Sequence, residues 1–351
     1  MSPFITEHVL KTERQTLAYL QAGPAEGPLV ILVHGYPDLA TCWRQQMLVL
    51  AGLGFRTVAP NMRGYAGSSA PMAVEAYAIE ESVGDLLGLL AHLGEQKAVW
   101  VGHDCGAAAI WGMVTHHPEK CVAVANLCVP YFPQGFTLDV LVSHVNREIY
   151  PLDKYSYGQW GYWAYQVFHA DESDAQLDAD VAASIKLIFQ RTSVELFGTN
   201  TDGQIIVPPL GWTPMIEYMK DKPIASTVLC EGDYWAYVAS AKRNGFGSIN
   251  SYYRNCTRNA AYAATAVNGG RIHLPVLFIH ARFDRSCQTV NSDMAEPMRA
   301  YCSDLVEVEV EAGHWLQQER PAEVSAALVE WLATRVEDSF APLVKPALSI
   351  T

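Results

Sequence analysis

The sequence predicts an α/β protein built on a mostly parallel sheet, with a helical insertion partway along the chain. The first observation is a recurring run of β-branched and apolar residues. It appears at Leu29–Val33, Arg56–Ala59, Ala98–Val101, Val122–Ala125, Val276–Ile279 and Val306–Val310. Continuous apolar strands alternating with helical segments imply a parallel sheet covered on both faces. The second is that the alternation stops near Pro130. From about Phe132 to about Ala266 the apolar residues take helical spacing, as in Asp180–Phe189, and Tyr and Trp are dense. The third is that the strand pattern resumes in the same style at Pro275-Val276-Leu277. One interrupted sheet domain explains this better than two separate domains. The expected boundaries are 1–131 and 269–351 for the sheet domain and 132–268 for the insertion.

Each element has its own reason. Roughly residues 5–22 read as an antiparallel hairpin at the sheet edge, which with the six runs makes eight strands. An insertion after a mid-sheet strand lies over the strand C-terminal ends, where open α/β sheets bind ligands, so it is expected to act as a lid. Glu337–Thr351 carries two prolines after a predicted helix over Ala322–Val336 and reads as a tail.

Composition narrows the function. In a chain of 351 residues, half are hydrophobic and 17% charged, which supports a sizeable core and excludes disorder. A formal charge of -13 repels phosphate backbones and anionic lipid, so neither nucleic acid nor a membrane surface is an expected partner. The eight cysteines form no C-x-x-C pair and no zinc spacing, which suggests reduced thiols and no metal. The opening MSPFITEHVL lacks a basic segment followed by an apolar one, and the longest apolar stretch, Ala98–Val114, is broken by His103 and Asp104. A cytoplasmic protein is expected, and a homo-oligomer is compatible with the sequence. P-loop, dinucleotide and H-E-x-x-H motifs are missing, and no cofactor is expected.

Four short segments carry chemistry. Gly102-His103-Asp104-Cys105-Gly106 follows an apolar strand and opens a helix. This is a nucleophile-elbow pattern with aspartate at its centre, and a carboxylate needs no base to become a nucleophile. Taken alone, the same motif fits an aspartate capping a helix that begins near Ala107. His34-Gly35-Tyr36-Pro37 follows the first strong parallel strand and would give one oxyanion-hole amide from Tyr36, with Cys105 giving the other. His280-Ala281-Arg282-Phe283-Asp284 and Glu311-Ala312-Gly313-His314-Trp315 each follow a late strand. The order nucleophile, acid, histidine is that of the α/β-hydrolase fold, with His314 as base and Asp284 as its orienting acid.

These segments resemble the soluble epoxide hydrolases of the α/β-hydrolase superfamily, from about Val30 to Ala333. His34-Gly35-Tyr36-Pro37 looks like the family's oxyanion loop. The segment from Asn61 to Pro71 is similar to its Arg-Gly-Tyr-Gly-x-Ser stretch. Gly102-His103-Asp104-Cys105-Gly106 looks like its Gly-His-Asp-Trp-Gly, with Cys105 in place of tryptophan. Ser251-Tyr252-Tyr253-Arg254-Asn255 resembles its Trp-Tyr-Arg-Asn. The resemblance therefore implies that Tyr253, with Tyr162 (or Tyr165) from Gly161-Tyr162-Trp163-Ala164-Tyr165 ahead of a helix through Leu177, holds the epoxide oxygen. Asp104, His314, Asp284, Tyr162 and Tyr253 are then the expected catalytic set. Substrate contacts are expected from His34, Pro37, Trp163 and Trp315. The lid aromatics Trp160, Trp163 and Phe168 suggest a pocket for a small apolar epoxide. Two other readings share the fold. A haloalkane or haloacid dehalogenase uses the same Asp-His-Asp set but needs side-chain N–H donors for halide, for which Trp160 or Trp163 would serve. A non-catalytic ligand-binding member should have lost the histidine or the acid, and both are kept.

Overall fold

The computed structural model describes residues 4–192, 194, 198–199 and 210–336. It contains one eight-stranded sheet. The strands are β1 (Thr6–Lys11), β2 (Thr16–Ala22), β3 (Leu29–Val33), β4 (Arg56–Pro60), β5 (Ala98–His103), β6 (Cys121–Leu127), β7 (Val276–Ala281) and β8 (Leu305–Val310). Their order across the sheet is β1-β2-β4-β3-β5-β6-β7-β8. β1 pairs antiparallel with β2, and β2 with β4, while every other pairing is parallel. The expected hairpin and the six parallel runs are therefore present, each run within one or two residues of its predicted ends.

The burial pattern explains why the runs were legible. Every residue of β3, β5, β6 and β7 is buried, whereas the edge strands β1 and β8 alternate with exposed positions. Successive side chains of a strand point to opposite faces, so complete burial means cover on both faces. The sheet-domain helices that supply it are α1 (Arg44–Gly52), α2 (Ile79–His92), α3 (Cys105–His116), α12 (Glu296–Tyr301), α13 (Leu316–Glu319) and α14 (Pro321–Trp331), the last continuing as a π-helical turn through Val336. The predicted tail, 337–351, lies outside the described residues.

Among the described residues the chain between β6 and β7 is helical. It runs through α4 (Leu138–Ser143), α5 (Gly161–Phe168), α6 (Ala170–Ala179), α7 (Val181–Ile188), α8 (Thr213–Met219), α9 (Glu231–Asn244), α10 (Phe246–Asn250) and α11 (Cys256–Ala263). The predicted helix over Asp180–Phe189 is α7, with Asp180 as its cap: its carboxylate accepts from the Ala183 N–H at 3.0 Å. One expectation is corrected. The Tyr162 segment does not precede a helix but is one, because Gly161–Phe168 forms α5 and a break at His169 separates it from α6.

The topology fixes where chemistry can occur. From β3 the chain goes to β4 on one side and then crosses to β5 on the other, so the loops leaving β3 and β5 diverge around a crevice. The loop after β4 is held by Arg63, whose guanidinium meets the Asp85 carboxylate on α2 through two hydrogen bonds of 2.7 and 2.6 Å.

Candidate active site

Asp104 sits on the turn between β5 and α3 with φ 52° and ψ -125°. That is a left-handed conformation, costly for a residue with a side chain, and it holds the carboxylate away from both elements. The flanking glycines are steric necessities. A Cβ on Gly102 would lie 2.5 Å from Asn126 Oδ1, and one on Gly106 would lie 2.3 Å from the Val33 carbonyl. Asp104 occupies the cap position of α3, which starts directly at Cys105, yet makes no side-chain capping bond. The helix-cap reading is thus set aside.

The Asp104 carboxylate meets the expected groups. Oδ1 accepts from the Tyr36 N–H at 2.7 Å, across the β3–β5 crevice, and the Cys105 N–H also stabilises the anion. Oδ2 lies 3.6 Å from His314 Nε2. His314 Nδ1 donates to Asp284 Oδ2 at 2.7 Å, and Asp284 Oδ1 accepts the Ser286 and Cys287 N–H groups at 2.8 and 3.0 Å. β8 lies three strands from β5, so the His314 loop must return over the strand ends. It is pinned there by His103 Nε2, which donates to the His314 carbonyl at 2.8 Å, and by Glu319, which accepts the Gly313 N–H at 3.1 Å.

Burial alone would push the Asp104 carboxyl up. The His314 hydrogen bond and charge, with His103 and the Cys105 amide, outweigh it and hold Asp104 at about 2. Asp284 follows the same logic and stays below the carboxylate range, its main support being His314. Burial pushes His314 down, but the Asp284 charge and the hydrogen bonds of both carboxylates raise it well above its usual value.

A cavity of about 160 Å³ opens over these groups. Asp104, Asp284 and His314 line one side, and Tyr36, Tyr162, Tyr253 and Trp315 line it as well. The Tyr162 and Tyr253 rings stand edge to face at 5.9 Å, and neither hydroxyl is engaged by another described residue. Burial and then nearby negative groups, Asp104 among them, raise both phenols well above their usual value. Tyr165 points elsewhere: its hydroxyl donates to Gln176 and its ring stacks on His169.

Five expected pocket residues are corrected. His34 is buried behind the oxyanion loop, with Nδ1 donating to the Gly35 carbonyl at 2.8 Å and Nε2 accepting the Met62 N–H at 3.0 Å. Both ring nitrogens are committed, so His34 braces the loop. Pro37, joined to Tyr36 by a cis peptide, is buried and does not line the cavity. Trp163 donates its indole N–H to the Tyr253 carbonyl at 2.8 Å and buttresses that ring from behind. Trp160 is likewise buried away from the cavity, and Phe168 is exposed at the surface.

Sequence reasoning missed other residues. Asp38, next to Pro37, is fully buried. It accepts from the Leu39 N–H, the Tyr237 hydroxyl and Gln317 Nε2, and Gln317 also reaches His103 Nδ1. Burial, partly offset by the Tyr237 bond, pushes Asp38 up to about 7. Arg285, Gln159, Ile188, Trp212 and Met215 line the cavity. Only the position of Arg285 beside Asp284 could have signalled any of them. Among the described residues, His103, Cys128 and His314, and likewise Asp284, Cys287 and His314, bring potential metal-ligand atoms within 4.8 Å of one another. Both sets share His314, whose nitrogens already face Asp284 and Asp104. All eight cysteines are free thiols, and no described helix is long and apolar enough to cross a membrane.

The fold and the site together define an α/β-hydrolase with aspartate at the elbow, and the α/β-hydrolase-fold family model matches residues 28–321. Epoxide hydrolase A of Mycobacterium tuberculosis is 32% identical over 341 residues, spanning 93% of this chain and 97% of that one. Bifunctional epoxide hydrolase 2 of Sus scrofa is 30% identical over 92% of this chain, which covers 54% of that protein. Among solved structures, Epoxide Hydrolase A from Mycobacterium thermoresistibile superposes with a TM-score of 0.78 at 31% identity, over 94% of this chain and 98% of the other. The chain belongs to the epoxide hydrolase family.

Proposed function

We propose that this chain opens epoxides with water to give vicinal diols, by way of an ester on Asp104, with residues 132–268 acting as the lid. One observation carries the reading: two unengaged phenol hydroxyls, Tyr162 and Tyr253, share a cavity with the Asp104 carboxylate. A three-membered ether has a poor alkoxide leaving group, so its opening needs a carboxylate on carbon and a proton donor on oxygen. The raised phenols keep their protons at neutral pH; both hydrogen-bond the epoxide oxygen, and one gives up its proton as the alkoxide develops. Oδ1 already rests on the Tyr36 amide and becomes the ester carbonyl oxygen, which leaves Oδ2 to attack.

Ester formation erases the negative charge 3.6 Å from His314 Nε2. The imidazole then loses one of the two carboxylates that hold it protonated, and its pKa falls. The proton that His314 then sheds returns to the phenolate left by ring opening, and the neutral imidazole, oriented by Asp284, takes a proton from water. That water attacks the Asp104 carbonyl, and the oxyanion is held by the Tyr36 and Cys105 amides until the ester C–O bond breaks and the departing diol oxygen takes the proton from His314. A halide-releasing reading loses its lid donors: Trp163 is committed to Tyr253, and Trp160 does not reach the cavity.

The direct test is diol formation from styrene oxide set against halide release from a haloalkane of similar size. Diol from the first and no halide from the second is expected. Tyr253→Phe should lower kcat/KM for the epoxide by roughly 10- to 100-fold, since one donor to developing charge is lost. Halide release at the faster rate would reverse the assignment.

A further inference from the structure

The catalytic cavity holds a cation that the chemistry above does not use. Arg285 follows Asp284 directly, in the turn that delivers the Ser286 and Cys287 amides to Asp284, and is one of the residues that line the cavity. Arg285 is only 9% exposed. Its Nε and Nη2 are buried and have no hydrogen-bond partner, and the guanidinium makes no ion pair among the described residues. The acids that line the cavity are Asp104 and Asp284, both committed to His314 and to backbone amides. Burial lowers the Arg285 pKa, opposed by Tyr150, but a guanidinium does not give up its proton in a protein. A buried charge without a counterion is costly to keep, and a ligand that brings the counterion removes that cost.

We propose that Arg285 is a specificity-determining residue that pairs with a carboxylate on the substrate, so that the preferred substrates are epoxides carrying a carboxylate. This rests on the epoxide-hydrolase reading and refines the expectation of a wholly apolar substrate. The planar fork of a guanidinium matches a carboxylate through two parallel hydrogen bonds. Leu187, Ile188 and Met215 line the same cavity and would take the carbon skeleton between the two ends. The net charge of -13 does not recruit anions from a distance, so Arg285 acts as a selector inside the cavity rather than by steering.

The test is kcat/KM for a series of terminal epoxides bearing a carboxylate at the far end of chains of increasing length, each against its methyl ester. It is run on the wild type, Arg285→Leu and Arg285→Lys. At the chain length that fits, the wild type should prefer the acid by roughly 10- to 100-fold. That ratio should collapse to about one in Arg285→Leu and be partly kept in Arg285→Lys, which retains the charge but not the fork. Hydrolysis of acid and ester at equal efficiency across the series would overturn the role of Arg285 while leaving the hydrolase reading intact. So would a preference that survives in Arg285→Leu. No diol from any member would instead overturn the hydrolase reading on which the proposal rests. Should the leucine variant fail to fold, the wild-type and lysine ratios still decide.

Discussion

At the scale of single residues, catalysis turns on how charge is shared between Asp104, His314 and Asp284. His314→Gln keeps a side chain of similar length but cannot take a proton from water. It should form the ester and stall, so that mixing with excess epoxide gives a burst of one equivalent and little steady turnover. Normal turnover by His314→Gln would remove His314 from the mechanism. The pH dependence of stability gives a second check. Asp104 is held at about 2, below its usual 3.8, so the stability it contributes is present above 3.8 and is lost as pH falls towards 2. His314 is raised, so its contribution is present below 6.5 and is lost only as pH rises through its higher folded value. Between pH 4 and 2 His314 is charged throughout. Asp104→Asn should therefore lose less stability than the wild type over that window, as read by thermal unfolding. Residues of this kind were legible because each sits in a short motif at a strand end. His34, Pro37 and Trp163 were misread because proximity along the chain does not say which way a side chain points. His34 turned to backbone partners, and Trp163 to a carbonyl. Arg285 was missed because an arginine in a loop is ordinarily solvated, and only burial distinguishes this one.

At the scale of elements, the two cavity tyrosines come from different segments, and Arg254 joins them. It sits in the 3-10 turn Ser251–Arg254 that carries Tyr253. Its Nε donates to the Gln166 carbonyl of α5 at 3.0 Å, its Nη2 to the Ala170 carbonyl at 3.2 Å, and its Nη1 to Asp174 of α6 at 2.9 Å. With the Trp163 bond to the Tyr253 carbonyl, this sets the turn against the helix that carries Tyr162. Arg254→Leu leaves Asp174 without its cation and should cost roughly 2–4 kcal/mol. It should also lower kcat for epoxide opening with less effect on KM, because alignment of the donors, not substrate access, is disturbed. Unchanged stability and kcat would show that Arg254 does not position the turn. None of these pairings was legible beforehand. Helical spacing identifies α7 and its Asp180 cap, but bonds spanning 80 or more positions leave no local pattern.

At the scale of the whole molecule, legibility followed burial. β3, β5, β6 and β7 are covered on both faces, so their composition is uniform and their ends are abrupt. The sheet order then brings the β3 and β5 loops together, and the strand-end motifs read along the chain become one site. The central claim is that the oxygen delivered to substrate comes from Asp104, not from water. The most direct measurement is a single turnover of styrene oxide with protein in excess in heavy-oxygen water, followed by mass analysis of the diol and of the peptide containing Asp104. The expected result is a first-turnover diol without label and one labelled oxygen in Asp104. Labelled diol from the first turnover, with Asp104 unlabelled, would mean direct attack by water and would contradict it.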